Sequence, residues 1–155
     1  MNTKKIVFLL VDDDKDDTDL FYDTVKSINP EISCYNVENG HKALEFFSQE
    51  NSILPNVIFL DINMPVMNGF ECLSHIRTIE KLKDIPVIIY STASGQNNVE
   101  RAHELGAQCF YVKPHEFDKI SDFFKFVIEN VDKDLLTALK IHQQFNLFNS
   151  KYFLT

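Results

Sequence analysis

Five side chains that could do chemistry stand where apolar runs end: Asp12 and Asp13 after Ile6–Val11, Asp61 after Val57–Leu60, Ser91 after Val87–Tyr90, and Lys113 after Cys109–Val112. Short continuous apolar runs read as buried parallel strands, and a parallel sheet presents all its carboxyl ends at one edge, where open α/β folds bind their ligands. The spacing therefore predicts that these groups meet although they are far apart in the chain. Asp61, at the end of the central run, is the candidate reactive group. Three carboxylates cannot sit together ionised without a counter-charge. A hard divalent cation suits such oxygens, and Mg²⁺ is favoured because a few carboxylates, waters and phosphate oxygens commonly hold it. Lys113 supplies further positive charge.

The elements that must position these groups follow a regular alternation. Strands are expected at Ile6–Val11, Ile32–Val37, Val57–Leu60, Val87–Tyr90 and Cys109–Val112, the second nearer an edge because it alternates. Between and after them, apolar residues recur at helical spacing: Leu20, Phe21, Val25, Ile28; Ala43, Leu44, Phe46, Phe47; Phe70, Leu73, Ile76, Ile79; Val99, Ala102, Leu105; and Phe117, Ile120, Phe123, Phe124, Val127, Ile128. Asn29-Pro30 and Gly106 read as helix stops, and Asn97 with Glu100 as a capping box. Pro65 and Gly69 shape the loop after Asp61, with Gly69 permitting a sharp turn into the next helix. Five β-α units with right-handed crossovers give an α/β fold: a flavodoxin-like, doubly wound, five-stranded parallel sheet between helices, strand order 2-1-3-4-5.

Bulk properties narrow the function classes. A chain of 155 residues with a formal charge of -8 has the length of one domain and lacks the basic face that holds nucleic-acid phosphates or anionic membranes. Cys34, Cys72 and Cys109 have neither disulfide-framework nor zinc spacing and read as small buried hydrophobes. The start of the chain imitates a signal peptide, but its apolar run is short and ends in three aspartates, so a first strand of a cytoplasmic protein is expected.

With these features in order, the chain resembles a response-regulator receiver domain, the CheY-like phosphoacceptor module of two-component signalling. The resemblance covers roughly residues 5–131. It rests on the acidic pair, the Asp-x-x-Met-Pro-x-x-x-Gly pattern at Asp61, Met64, Pro65 and Gly69, the hydroxyl at Ser91, and Lys113-Pro114. It implies that Asp61 is the phosphoacceptor, taking a phosphoryl group from a sensor histidine kinase or histidine phosphotransfer protein. Asp12 or Asp13, Asp61 and the backbone carbonyl of Asn63 would hold Mg²⁺, Ser91 would hydrogen-bond the phosphoryl group, and Lys113 would pair with it. Phe110 matches the aromatic that turns inward as the switch completes, with Phe where many relatives have Tyr. Ser91 is favoured over Thr92 because a one-residue slip would turn the fourth strand's side chains to the opposite face. The readout would be a protein partner at the face of the fourth and fifth helices and fifth strand. The module would be a switch rather than a turnover enzyme, with slow self-release at most.

Other readings compete for single residues. Asp12, Asp14 and Asp16 resemble the opening of a calcium loop, but Asp17 stands where its glycine belongs and Asp23 where its glutamate belongs. Asp12-x-Asp14 after a first strand suits an aspartate-nucleophile phosphohydrolase, which leaves Asp61 and Lys113 without a role. Asp14, Asp16, Asp17 and Asp19 read as a solvated helix start favoured by the dipole. His41, His75, His103, His115 and His142 lack ligand spacing, and Tyr90 and Tyr111 read as packing residues. In residues 132–155, Leu135, Ala138, Ile141, Phe145, Phe148 and Tyr152 suggest one amphipathic helix. It is expected to be an arm on its own domain or a dimer contact, with no room for a DNA-binding or catalytic output domain.

Overall fold

A computed structural model of the chain describes residues 5–145 and 152–153. Strands β1 (Val7–Val11), β2 (Ser33–Val37), β3 (Val57–Leu60), β4 (Val87–Ser91) and β5 (Cys109–Val112) alternate with helices α1 (Lys15–Ile28), α2 (Gly40–Ser48), α3 (Gly69–Ile76), α4 (Gln96–Glu104) and α5 (Phe117–Asn130). These five strands pair in parallel in the order 2-1-3-4-5, as the sequence led us to expect. Past them lie α6 (Leu135–Phe145) and a short strand β6 (Tyr152–Phe153), which pairs antiparallel with β5 and extends the sheet to six strands.

Strand alternation divides the core. Leu9, Val11, Ile58, Leu60, Ile89 and Phe110 face α2, α3 and α4, while Phe8, Leu10, Phe59, Tyr90 and Tyr111 face α1, α5 and α6. Phe59 centres the second layer, with its ring centroid 5.2 Å from those of Phe8 and Phe21 and 5.5 Å from that of Phe124, all edge-on. Such pairs contribute about 0.5–1.5 kcal/mol each beyond area burial. Their effect is to fix β3, the strand that ends in Asp61, against α1 and α5.

Local chemistry sets the helix starts. Asp14, Asn39 and Asn68 each accept a hydrogen bond from the backbone N–H three residues on, the cap that short oxygen-bearing side chains supply. The capping box expected at Asn97 and Glu100 does not form, because α4 starts one residue before Asn97 and is preceded by Gly95 at φ +108°. The helical pattern through Ile79 ends earlier: α3 stops at Ile76 and a 3-10 turn, Glu80–Leu82, follows. Phe117 begins α5 but is 54% exposed, so the buried face is Ile120, Phe123, Phe124 and Val127. Cys72 and Cys109 are buried and Cys34 is half-buried.

The expected single C-terminal helix is also revised. Leu135 and Leu139 are buried against the α1–α5 layer, Ile141 is exposed, and Tyr152 belongs to β6; Phe148 and the side chains of His142 and Phe145 lie outside the described residues. Among the described residues no helix is long and apolar enough to cross a membrane.

Candidate functional site

The ladder hydrogen bonds continue past the strands and carry the acids into place. The Asp12 N–H donates to the Val37 carbonyl and the Asp61 N–H to the Val11 carbonyl, each at 3.0 Å. Carboxylate oxygens of Asp12, Asp13 and Asp61 consequently lie within 4.8 Å of one another, Asp12 and Asp61 buried and Asp13 exposed. Asp12 Oδ1 accepts from the Asp14 N–H at 2.9 Å, and Asp61 Oδ1 from the Ile62 N–H at 2.8 Å.

Lys113 comes in from β5, its N–H donating to the Ser91 carbonyl at 2.8 Å and tying the ends of β4 and β5 together. Its buried ammonium donates to Asp12 Oδ2 and Asp17 Oδ2, both at 2.7 Å, and stands 5.1 Å from the centre of the Tyr90 ring. Burial raises the Asp12 carboxyl to a pKa of about 6 despite the Lys113 hydrogen bond, which opposes the shift. Burial alone would lower the Lys113 pKa. The bonds to Asp12 and Asp17, with the field of Asp61, outweigh it and the pKa rises. Lys113 is therefore a fixed cation.

Ser91 is fully buried at the end of β4, where its Oγ accepts from the Ala93 N–H at 3.3 Å, while Thr92 is exposed. Phe110 is buried in the α2–α4 layer. Asn63 is exposed in the loop after Asp61. That loop turns sharply at Val66, whose φ is +69° and whose neighbours bond across it, Met67 N–H to Pro65 carbonyl at 2.7 Å. A β-branched residue rarely adopts this conformation. The loop then presses Gly69 onto β3, so that a Cβ on Gly69 would lie 2.2 Å from the Asp61 carbonyl oxygen. Close approach, not the sharp turn expected from sequence, is what requires glycine here.

Asp17 is the member that sequence reasoning missed. Assigned to a solvated helix start, it is instead an ion-pair partner of Lys113, and its signal lies in the fold, which brings the first turn of α1 within 2.7 Å of the ammonium that follows β5. Asp14 caps α1 through Oδ1 and is not among the carboxylates that gather with Asp12, which are those of Asp13 and Asp61. The carboxylates of Asp12, Asp13 and Asp61 cluster, and the Lys113 ammonium bonds one of them, Asp12, together with Asp17 outside the cluster. This excess of hard oxygen donors fits a divalent cation.

The model of the response regulator receiver domain family matches residues 8–125. This chain belongs to that family. Among curated relatives the receiver is 34% identical over 125 residues to response regulator Rcp1 of Synechocystis sp., covering 78% of this chain and 83% of that one. It is 32% identical over 120 residues to two-component response regulator ORR11 of Oryza sativa, covering 77% and 79%. Among solved structures it resembles the phosphorylated cyanobacterial phytochrome response regulator RcpA, with TM-score 0.77, 25% identity, and 84% and 96% of the two chains covered. The Mn²⁺-bound form of Rcp1 superimposes with TM-score 0.74 at 28% identity, covering 83% and 96%. The receiver is thus a response-regulator module of two-component systems, whose members work with histidine kinases or phosphotransfer proteins.

Proposed function

We propose that Asp61 is the phosphoacceptor of this receiver and that its donor is a phosphohistidine on a sensor histidine kinase or histidine phosphotransfer protein. One observation carries the reading: the oxygens of Asp12, Asp13 and Asp61 gather within 4.8 Å, beside the buried ammonium of Lys113. An Asp61 oxygen forms a bond to phosphorus as the phosphorus–nitrogen bond of the donor breaks. The electron pair stays on the departing imidazole, and the product on Asp61 is an acyl phosphate. Asp12, Asp13, Asp61 and the Asn63 carbonyl would hold Mg²⁺, and the Mn²⁺-bound relative supports a divalent ion here. Bound Mg²⁺ supplies positive charge against the transferring oxygens. Lys113 adds a fixed cation, and the Ser91 hydroxyl donates to a phosphoryl oxygen.

Phosphorylation then biases a two-state element. Ser91 drawn toward the phosphoryl group pulls on the end of β4, and α4 and Phe110 re-pack, altering the surface of α4, β5 and α5 that a protein partner reads. In this assignment residues 5–131 are the phosphoacceptor unit in the cytoplasm, and residues 132–155 an arm on it that a second copy of the chain could also engage. Output goes to protein, not nucleic acid or membrane, in keeping with the formal charge of -8. The unit is a switch, losing its phosphoryl group slowly rather than turning over substrate.

Intact mass after exposure to acetyl phosphate tests the reading. The expected result is one phosphoryl adduct that requires Mg²⁺, is lost in EDTA, and is lost in Asp61→Ala. An adduct that persists in Asp61→Ala would place the acceptor elsewhere.

A further inference from the structure

We infer that Asp17 is a positioning residue that competes with the phosphoryl group for the ammonium of Lys113 and so limits how tightly the site holds a phosphoryl-like anion. The inference rests on Asp61 being the phosphoacceptor.

Lys113 offers three N–H donors, and two of them go to carboxylates at equal distance, 2.7 Å to Asp12 and 2.7 Å to Asp17. The two acceptors differ in surroundings. The Asp12 side chain is fully buried and belongs to the carboxylate cluster, whereas the Asp17 side chain is 34% exposed and lies outside it. Water can replace Lys113 at Asp17 at little cost, so this bond is the exchangeable one. Its geometry is nevertheless imposed. Asp14 caps α1 by accepting the Asp17 N–H at 2.9 Å, which fixes the backbone of the first turn and so holds Asp17 within reach of Lys113.

An anion arriving on Asp61 needs the same ammonium and carries the same sign of charge as Asp17. Whichever donor it takes, it must pull the ammonium out of its seat between Asp12 and Asp17 toward Asp61, and it meets the repulsion of a further carboxylate. Asp17 therefore acts as a built-in rival of the phosphoryl group, holding Lys113 ready but engaged until the anion outbids it. Its removal leaves the acceptor, the three clustered carboxylates and the ammonium in place.

Beryllofluoride, a phosphoryl mimic, tests this on the full chain in Mg²⁺ at neutral pH. The sequence has no tryptophan, so binding is followed by fluorine NMR. Asp17→Asn keeps the shape and removes the charge, and is expected to bind beryllofluoride about fivefold more tightly than wild type, the scale of a partly exposed ion pair. Asp17→Ala gives a second neutral variant should the amide fail to fold. Asp17→Glu restores the charge and should return affinity to within about twofold of wild type. Asp16→Asn removes a charge from the exposed part of the same turn and should also stay within about twofold. In a Lys113→Ala background the gain from Asp17→Asn should vanish, because the coupling runs through that ammonium. Unchanged or weaker binding by both neutral variants overturns the inference and leaves the phosphoacceptor reading intact. Wild type that fails to bind beryllofluoride at all overturns that reading and this inference with it.

Discussion

Gly69 and Asp12 show how single residues are constrained by what they touch. Gly69 donates to the Ile62 carbonyl at 2.8 Å, and its Cα lies so close to β3 that a methyl group would meet the Asp61 carbonyl oxygen at 2.2 Å. Backbone cannot yield there as a flexible side chain could, so Gly69→Ala is expected to cost about 3 kcal/mol or to displace the Asp61 loop. Urea denaturation reads the first effect and acetyl-phosphate labelling the second. Asp12 gives a pH dependence. Its folded-state pKa, raised by burial from 3.8 to about 6, means that the metal-free folded chain holds a proton the unfolded chain has released between those values. Through this group, metal-free stability falls as pH rises across that window. Mg²⁺ held by Asp12 as proposed would have to displace the same proton at low pH, so calorimetry should find weaker Mg²⁺ binding at pH 5 than at pH 7.5. The meeting of Asp12, Asp61 and Lys113 was legible in the sequence because strand ends in a parallel sheet share an edge. Asp17 was not, because it lies inside α1 and not at a strand end, and its exposed neighbours give the same acidic signal.

At the scale of elements, what the sequence shows depends on whether a bond is local. The caps at Asp14, Asn39 and Asn68 reach three residues, and each stands as a short oxygen-bearing residue before an amphipathic run. Arg77 has no such local sign. From the end of α3 its guanidinium donates to the carbonyls of Leu82, Lys83, Ile85 and Gly106 and to Gln108 Oε1, joining the 3-10 turn, the approach to β4 and the loop before β5. Gln108 Oε1 in turn accepts from the Val87 N–H at 2.7 Å, so one amide and one guanidinium hold the amino ends of β4 and β5. These are the ends remote from the carboxylates. Arg77→Leu leaves several partly buried carbonyls without that donor and is expected to cost about 2–4 kcal/mol in urea denaturation. Phosphorylation by acetyl phosphate should survive in the folded fraction, since no strand end at the site depends on Arg77. Loss of the adduct from a folded Arg77→Leu chain would mean that the two ends of the sheet are coupled.

For the molecule as a whole, the open question in the sequence was where the chain goes after α5, and two leucines answer it for α6. Asp134 caps α6 by accepting from the Thr137 N–H at 3.1 Å, and Leu135 and Leu139 then enter the layer formed by α1 and α5, with 4% and 1% exposure. Helical spacing announced an amphipathic arm but could not say that the chain would return as β6. A two-residue strand has too short a pattern to read, and its partner is the edge of β5, with Tyr152 opposite Phe110 and Phe153 opposite Cys109. The pairing matters for output, because it occupies the edge that the expected partner-facing surface of α4, β5 and α5 would otherwise present. Leu139→Ala is expected to cost about 2–4 kcal/mol, as for other fully buried leucines. Truncation after Val131 should cost at least as much and bare the β5 edge, so that the shortened chain is less stable in urea and associates as its concentration is raised in ultracentrifugation. It should still accept one phosphoryl group, because Asp12, Asp61 and Lys113 stand at the far ends of their strands. A truncated chain that remains monomeric and as stable as the full one would show that α6 and β6 contribute nothing to the fold, and would leave residues 132–155 to a partner.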